Sequence, residues 1–106
     1  MSLFGGSDPE SADKITVIAQ LRAKSGHEDE VRSMLAKLVE PSQKEPGCIK
    51  YNILEDKHYT GSFFTHEQWE SEEALEQHLQ VNKAGLNKVK ALLREDLKIS
   101  VLDLVA

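Results

Sequence analysis

The chain has 106 residues, of which 40% are hydrophobic and 29% charged, as is usual for a single soluble domain. Its 18 acidic residues outnumber its 13 Lys and Arg residues and give a formal net charge of -5, with the basic residues scattered. Nucleic-acid binding needs clustered positive charge and a membrane span needs about 20 consecutive apolar residues. The sequence has neither, so a nucleic-acid-binding protein and a membrane protein are both disfavoured.

Residues 1–13 are predicted to form a flexible lead-in to one domain at 14–106. They are rich in Gly, Ser and Asp, and they lack the basic start and apolar core of a secretion signal. Cys48 is the only cysteine, which excludes an intrachain disulfide and a cysteine metal cage. A lone cysteine is consistent with a reducing compartment, so we expect a cytoplasmic protein.

The first predicted elements are a strand and a helix. Residues 14–24, "KITVIAQLRAK", are β-branched at their start and then alternate, which predicts a central strand. A helix is predicted from residue 27 to about 44, because apolar side chains recur at helical spacing: Val31, Met34, Leu35, Leu38 and Val39. Pro41 is expected to kink or end this helix, and Pro46-Gly47 predicts a turn.

The rest of the chain predicts a hairpin, two helical stretches and a last strand. The hairpin strands are predicted at 48–56 and 62–70, with the turn at 57–61. Ser71 is a predicted N-cap for a helix over 72–81, and Leu86, Val89, Leu92 and Leu93 indicate further helix. The last strand is predicted at 98–106.

This order, β-α-β-β-α-β, predicts an α+β fold of the ferredoxin-like split type, with helices on one face of an antiparallel sheet. The first and last strands, "ITVIAQL" and "ISVLDLV", carry apolar residues at both odd and even positions, so both faces of each strand are apolar. Such strands are typical of a sheet covered on both faces. We therefore expect the open face to pack on a second sheet, in a homodimer.

His78 is the main candidate for chemistry, because it lies between Leu75 and Leu79 on the apolar side of its helix. Burial disfavours the charged form of histidine, so a buried His78 can act as a neutral general base. Glu67 and Trp69 share one face of the preceding strand, where Glu67 can orient the imidazole and Trp69 can form an aromatic wall. The alternative is a packed histidine, a core tryptophan and an edge glutamate paired with a lysine.

The remaining polar candidates are weaker. Tyr51 and Asn52 are adjacent on one strand and point to opposite faces, so at most one lines a given pocket. The other three histidines, at 27, 58 and 66, are predicted at the surface. Neither an i, i+4 histidine pair nor a glycine-rich nucleotide loop occurs in the sequence, so no metal or nucleotide cofactor is predicted.

Three stretches of the sequence, "ITVIAQLRAKSG", "EPGCIKYNILED" and "HEQWESEEALEQHLQ", resemble the antibiotic-biosynthesis-monooxygenase family, and within it the bacterial quinol monooxygenases. The resemblance runs from about residue 14 to 105. Its most specific part is Glu67-x-Trp69-x-Ser71 followed by Leu75-x-x-His78.

The resemblance implies a dimeric α+β barrel with a small apolar pocket between sheet and helices in each chain. It also implies oxidation of a quinol or related phenol by O₂ without metal or flavin. His78 is then the expected base and Glu67 its orienting carboxylate. The expected substrate contacts are Trp69, Tyr51, Asn52, Leu75 and Arg22.

Two departures from the family pattern narrow this expectation. Haem-degrading relatives carry an asparagine on the first strand where this chain has Ala19, which disfavours haem degradation. Many relatives have a second histidine where this chain has Val81-Asn82-Lys83, which leaves His78 as the sole candidate base.

Two other functions stay open on this scaffold. One is an isomerase of a small sugar-derived dione, for which Arg22 is the candidate cation if the substrate is phosphorylated. The other is a non-catalytic ligand-binding dimer in which His78 is only packed.

Overall fold

The structure is a computed structural model that describes residues 14–106 and two short strands, Ser2–Leu3 and Gly5–Gly6. These short strands pair antiparallel with each other, Ser2 opposite Gly6. The flexible lead-in predicted at 1–13 lies largely outside the described residues and stays a prediction. In the part of the chain that is described, no helix is long and apolar enough to cross a membrane.

The domain has seven elements in the order β-α-β-β-α-α-β, and they confirm the ferredoxin-like prediction. They are β1 (Ile15–Arg22), α1 (Glu28–Gln43), β2 (Cys48–Glu55), β3 (Ser62–Trp69), α2 (Glu72–Val81), α3 (Lys83–Lys90) and β4 (Lys98–Leu102). Pro41 does not end α1, which continues to Gln43. β4 ends at Leu102, four residues short of the predicted strand end at Ala106.

The four strands form one antiparallel sheet in the order β2-β3-β1-β4. The register of β1 and β3 places Ile15 opposite Trp69 and Arg22 opposite Ser62. Trp69 and Arg22 therefore mark opposite ends of the sheet. Seven residues of extended strand separate them, roughly 23 Å at about 3.3 Å per residue.

The helices cover one face of the sheet, and the core beneath them has two parts. One is centred on Phe63 and includes Val31 and Leu35 of α1. The other is centred on Trp69 and includes Tyr51 of β2 and Leu75 of α2. Because β-strand side chains alternate between faces, the odd-numbered residues of β1 and β3 supply both parts.

The other face of the sheet is open, and β4 is exposed along its whole length. Ile18 and Leu54, on the open face, are 38% and 52% exposed. Ile99 and Val101 pair with Ala19 and Val17 and so point to the helix side, yet none of the three described helices covers them. Exposed apolar surface of this extent is typical of an interface.

Candidate functional site

His78 lies in the core on α2, a helix whose first turn is fixed by an N-terminal cap. The Ser71 side chain accepts a hydrogen bond from the Ala74 backbone N–H at 3.2 Å, which confirms the predicted N-cap. Leu75 is buried one turn into the helix. His78 follows three residues later, with 3% of its surface exposed, on the same side of the helix.

Two aromatic rings pack against the imidazole of His78. The centroid of the Trp69 ring lies 4.7 Å from it with the planes at 40°, and the Tyr51 ring lies 5.3 Å away at 55°. Trp69 is fully buried and Tyr51 nearly so. The two rings remove water from one side of the imidazole, which strengthens any polar contact on its other atoms.

The polar partner of His78 is Glu45, whose Oε1 lies 2.6 Å from Nδ1. Asn82 completes the group, because its Nδ2 donates to Glu45 Oε2 at 2.9 Å and to the His78 carbonyl oxygen at 2.8 Å. Those two bonds use both Asn82 amide protons, although Nδ2 also lies 3.1 Å from His78 Nδ1. No Asn82 proton is therefore left for the contact between His78 Nδ1 and Glu45. Nδ1 must carry its own proton, which it donates to Glu45 Oε1.

This assignment leaves Nε2 as the acceptor in the neutral ring. No described residue forms a hydrogen bond with it. The imidazole is therefore oriented as a general base would be, with a carboxylate behind Nδ1 and a lone pair on Nε2.

The turn that carries Glu45 is packed tightly on α2. Gly47 has a φ of +82°, and a Cβ there would lie 2.6 Å from the Cβ of Ala74. The Gly47 carbonyl oxygen also accepts a hydrogen bond from the backbone N–H of Glu70 at 2.9 Å. Glycine thus lets the turn approach the start of α2 closely enough for Glu45 to reach His78.

The predicted orienting contact of Glu67 is not formed. Glu67 is buried beside Trp69 on β3, and its Oε1 accepts a hydrogen bond from Trp69 Nε1 at 2.8 Å. It fixes the indole that packs on His78, while Glu45 orients the imidazole. Sequence reasoning missed Glu45 and the bonding of Asn82, because both contacts with Glu45 depend on a turn that folds back over α2.

Two further groups near Glu67 have shifted acidities. Burial, followed by the charge of Glu67, raises the pKa of Tyr51 far above its ordinary value of 10. Burial, followed by the charge of Glu45, raises the pKa of the Cys48 thiol. Tyr51 and Cys48 therefore stay protonated near neutral pH, and neither can serve as a base.

A groove of about 450 Å³ opens beside His78, between α2 and the turn at 45–47. Its walls are formed by Glu45, Pro46, Glu73, Ala74, Glu76, Gln77, His78, Gln80 and Val81. Trp69 and Tyr51 do not line this groove. Trp69, predicted to form an aromatic wall of the ligand pocket, instead packs against the imidazole ring of His78 and does not face the groove.

The remaining predicted site residues lie elsewhere. Leu75 packs in the core beside Trp69. Asn52 is exposed on the open face, paired with His66 of β3. Arg22 lies at the far end of the sheet and forms an ion pair with Glu95 at 3.8 Å, so it cannot serve as a cation for a ligand at His78.

A ferredoxin-like sheet whose helices carry a buried, carboxylate-bonded histidine beside a groove defines the class of this protein as a small α+β domain. The sequence profile of antibiotic biosynthesis monooxygenases matches residues 14–84, and the chain belongs to that family. The family expected from the sequence is thereby confirmed.

Individual relatives agree with this family. An uncharacterised protein of Synechocystis is 35% identical over 68 residues, which cover 64% of this chain and 46% of that protein, so the match spans less than half of its length. A crystal structure from Pseudomonas aeruginosa is similar with a TM-score of 0.81 and 32% identity, covering 89% of this chain and 96% of that one. The crystal structure of an antibiotic biosynthesis monooxygenase is similar with a TM-score of 0.81 and 29% identity, covering 87% and 99%.

Proposed function

We propose that this protein is a cofactor-independent monooxygenase that oxidises a small quinol or aromatic phenol with O₂. The family supports the reaction class. The observation that carries the proposal is the hydrogen bond between His78 Nδ1 and Glu45 Oε1 at 2.6 Å, which leaves Nε2 as a proton acceptor. His78 is thus the proposed base and Glu45 its orienting carboxylate.

The first proposed step is transfer of a proton from the substrate hydroxyl to Nε2. The negative charge of Glu45 stabilises the imidazolium that forms, and the phenolate becomes electron-rich enough to reduce O₂. In a phenol, the ring C–H para to the hydroxyl is replaced by a carbonyl. One atom of O₂ becomes the oxygen of this carbonyl. The other atom leaves as water together with two hydrogens from the phenol, and the phenol supplies all the electrons that reduce O₂.

A quinol that is only dehydrogenated behaves differently. Its two hydroxyl protons and two electrons pass to O₂, and the products are the quinone and hydrogen peroxide. Isotopically labelled O₂ separates these outcomes, because only oxygenation places the label in the organic product.

We also propose that the working form is a homodimer joined through the open face of the sheet. The exposed Ile18 and Leu54 support this proposal, as does Leu102 of β4, which pairs with Thr16 and so lies on the same face. Burial of such residues is favourable by about 25 cal/mol per Å². The cytoplasmic location expected from the sequence stays a prediction.

The test is protein-dependent oxygen uptake by metal-stripped protein with menadiol and with 1-naphthol, which has a C–H para to its hydroxyl, after subtraction of autoxidation. We expect His78→Ala to lose at least about 10²-fold in rate, the usual contribution of a general base. His78→Gln is the matched variant, because its side chain stays polar but cannot take up a proton. Both variants are checked for folding by circular dichroism.

Uptake that is unchanged in folded His78→Gln would overturn the assignment of the base. Uptake no higher than autoxidation with every phenol and quinol would overturn the monooxygenase itself. The alternative is then a non-catalytic ligand-binding dimer, which is favoured by the dense packing of Trp69 and Tyr51 on His78. In that case His78→Ala lowers stability by about 1 kcal/mol or more and changes no rate.

A further inference from the structure

We infer that the groove beside His78 binds uncharged or cationic aromatic ligands in preference to phosphorylated, sulfonated or carboxylated ones. This inference uses the site of the proposed function but concerns binding, so it can hold or fail independently of turnover. It separates quinols and phenols from phosphorylated sugar derivatives as a ligand class.

The charges around the groove are of one sign. Glu73 and Glu76 of α2 stand on its walls, and Glu45 lies next to His78. Of the described residues that line it, none is Lys or Arg. Lys44 is next to Glu45 in the chain, but its Nζ faces Glu40 on α1 at 3.9 Å. An anionic ligand therefore meets repulsion that no described lining residue offsets with a positive charge.

The walls between these charges are apolar. Pro46, Ala74 and Val81 contribute to them, and Val81 is 75% exposed. The volume of about 450 Å³ is in the range of small-molecule sites and is large enough for a two-ring aromatic. A flat apolar ligand can cover Val81 and remove its side chain from water.

His78 gives the groove one specific polar contact. It is 3% exposed, and no described residue bonds its Nε2, so this nitrogen can accept a hydrogen bond from a phenolic hydroxyl. A buried polar group that gains a partner on binding favours ligands carrying that hydroxyl. The preferred ligand is therefore an apolar ring with a hydroxyl donor and no negative charge.

The test compares 2-naphthol with 6-hydroxy-2-naphthalenesulfonate, which shares the ring and hydroxyl but carries a sulfonate. Calorimetry measures affinity, and backbone-amide NMR locates the site. We expect naphthol to shift the amides of Ala74, Gln77 and Val81. The sulfonate should bind about tenfold more weakly at low salt, and the difference should shrink at about 0.5 M salt because ions screen the carboxylates.

The decisive variant combines Glu73→Gln with Glu76→Gln, which removes two charges from the groove without changing its shape. We expect it to reduce the difference between the two ligands several-fold. The matched control combines Asp29→Asn with Glu30→Gln at the start of α1, near the opposite end of the sheet. It removes the same charge and should leave the difference unchanged.

Equal affinity for both ligands, no binding of naphthol, or amide shifts confined to other surfaces would overturn the inference. Oxygen uptake without charge discrimination would leave the proposed function intact and remove only this inference. Charge discrimination without oxygen uptake would leave this inference intact and remove the proposed monooxygenase function.

Discussion

At the scale of single residues, the site depends on which carboxylate reaches which ring. Glu45 and Glu67 each accept a hydrogen bond from a different ring: from His78 Nδ1 in the case of Glu45 and from Trp69 Nε1 in the case of Glu67. One carboxylate holds the proposed base and the other holds the indole behind it. Glu45 thus contacts the imidazole directly, whereas Glu67 contacts only the indole that packs on it.

This arrangement predicts the effect of Glu45→Ala. Without the carboxylate, Nδ1 loses its acceptor, the neutral imidazole can exchange tautomers, and the oxidation rate should fall by about tenfold or more. Long-range proton–nitrogen NMR of the ring measures the tautomer directly. We expect Nδ1–H to dominate in the native protein and a mixture in the variant.

Two comparisons make this prediction specific. Glu45→Asp should recover part of the rate, and Glu40→Ala on the exposed side of α1 should change neither the rate nor the tautomer. A native ring protonated on Nε2 alone would contradict the assignment made from the Asn82 bonds.

At the scale of elements, the turn between α1 and β2 sets the distance from Glu45 to His78. Gly47→Ala adds a Cβ at a positive φ and places it 2.6 Å from the Cβ of Ala74. We expect a loss of about 2 kcal/mol or more in the free energy of unfolding, the sum of backbone strain and a forced shift of the turn. Urea unfolding measures this loss.

Gly26→Ala separates the two causes. Gly26 has a φ of +88°, but a Cβ there meets nothing within 4 Å, so this variant carries the backbone strain without the contact. We expect a cost of about 1 kcal/mol, as for an alanine in the left-handed region. Equal losses in the two variants would show that packing of the turn on α2 contributes nothing.

At the scale of the whole molecule, the open face of the sheet is the exposed apolar surface through which we propose that two chains associate. We expect the native protein to sediment as a dimer and Ile18→Glu to shift it toward monomer, because burial of a charged carboxylate in an apolar interface is costly. Ala36→Glu on the exposed side of α1 is the matched control and should leave the dimer intact. A native monomer at micromolar concentration would remove the dimer from the proposal.

Much of the fold follows from patterns that act within a few residues. The helix at 72–81 has the predicted bounds, because the Ser71 side chain caps it and its apolar spacing is regular. The hairpin strands were predicted within a residue at each end. The predicted β4 is too long, because the apolar residues Leu104 and Val105 favour a strand in the sequence but pair with no strand among the described residues.

The sequence by itself determined the family, the order of elements and the apolar placement of His78, since these depend on local periodicity and on a distinctive run of residues. Only the tertiary structure decided the partners. Glu45 reaches His78 across 33 residues, through a turn that packs on α2. Arg22 is carried away from the site by the register of β1 against β3. Contacts between distant segments depend on register and close packing, which no local pattern encodes.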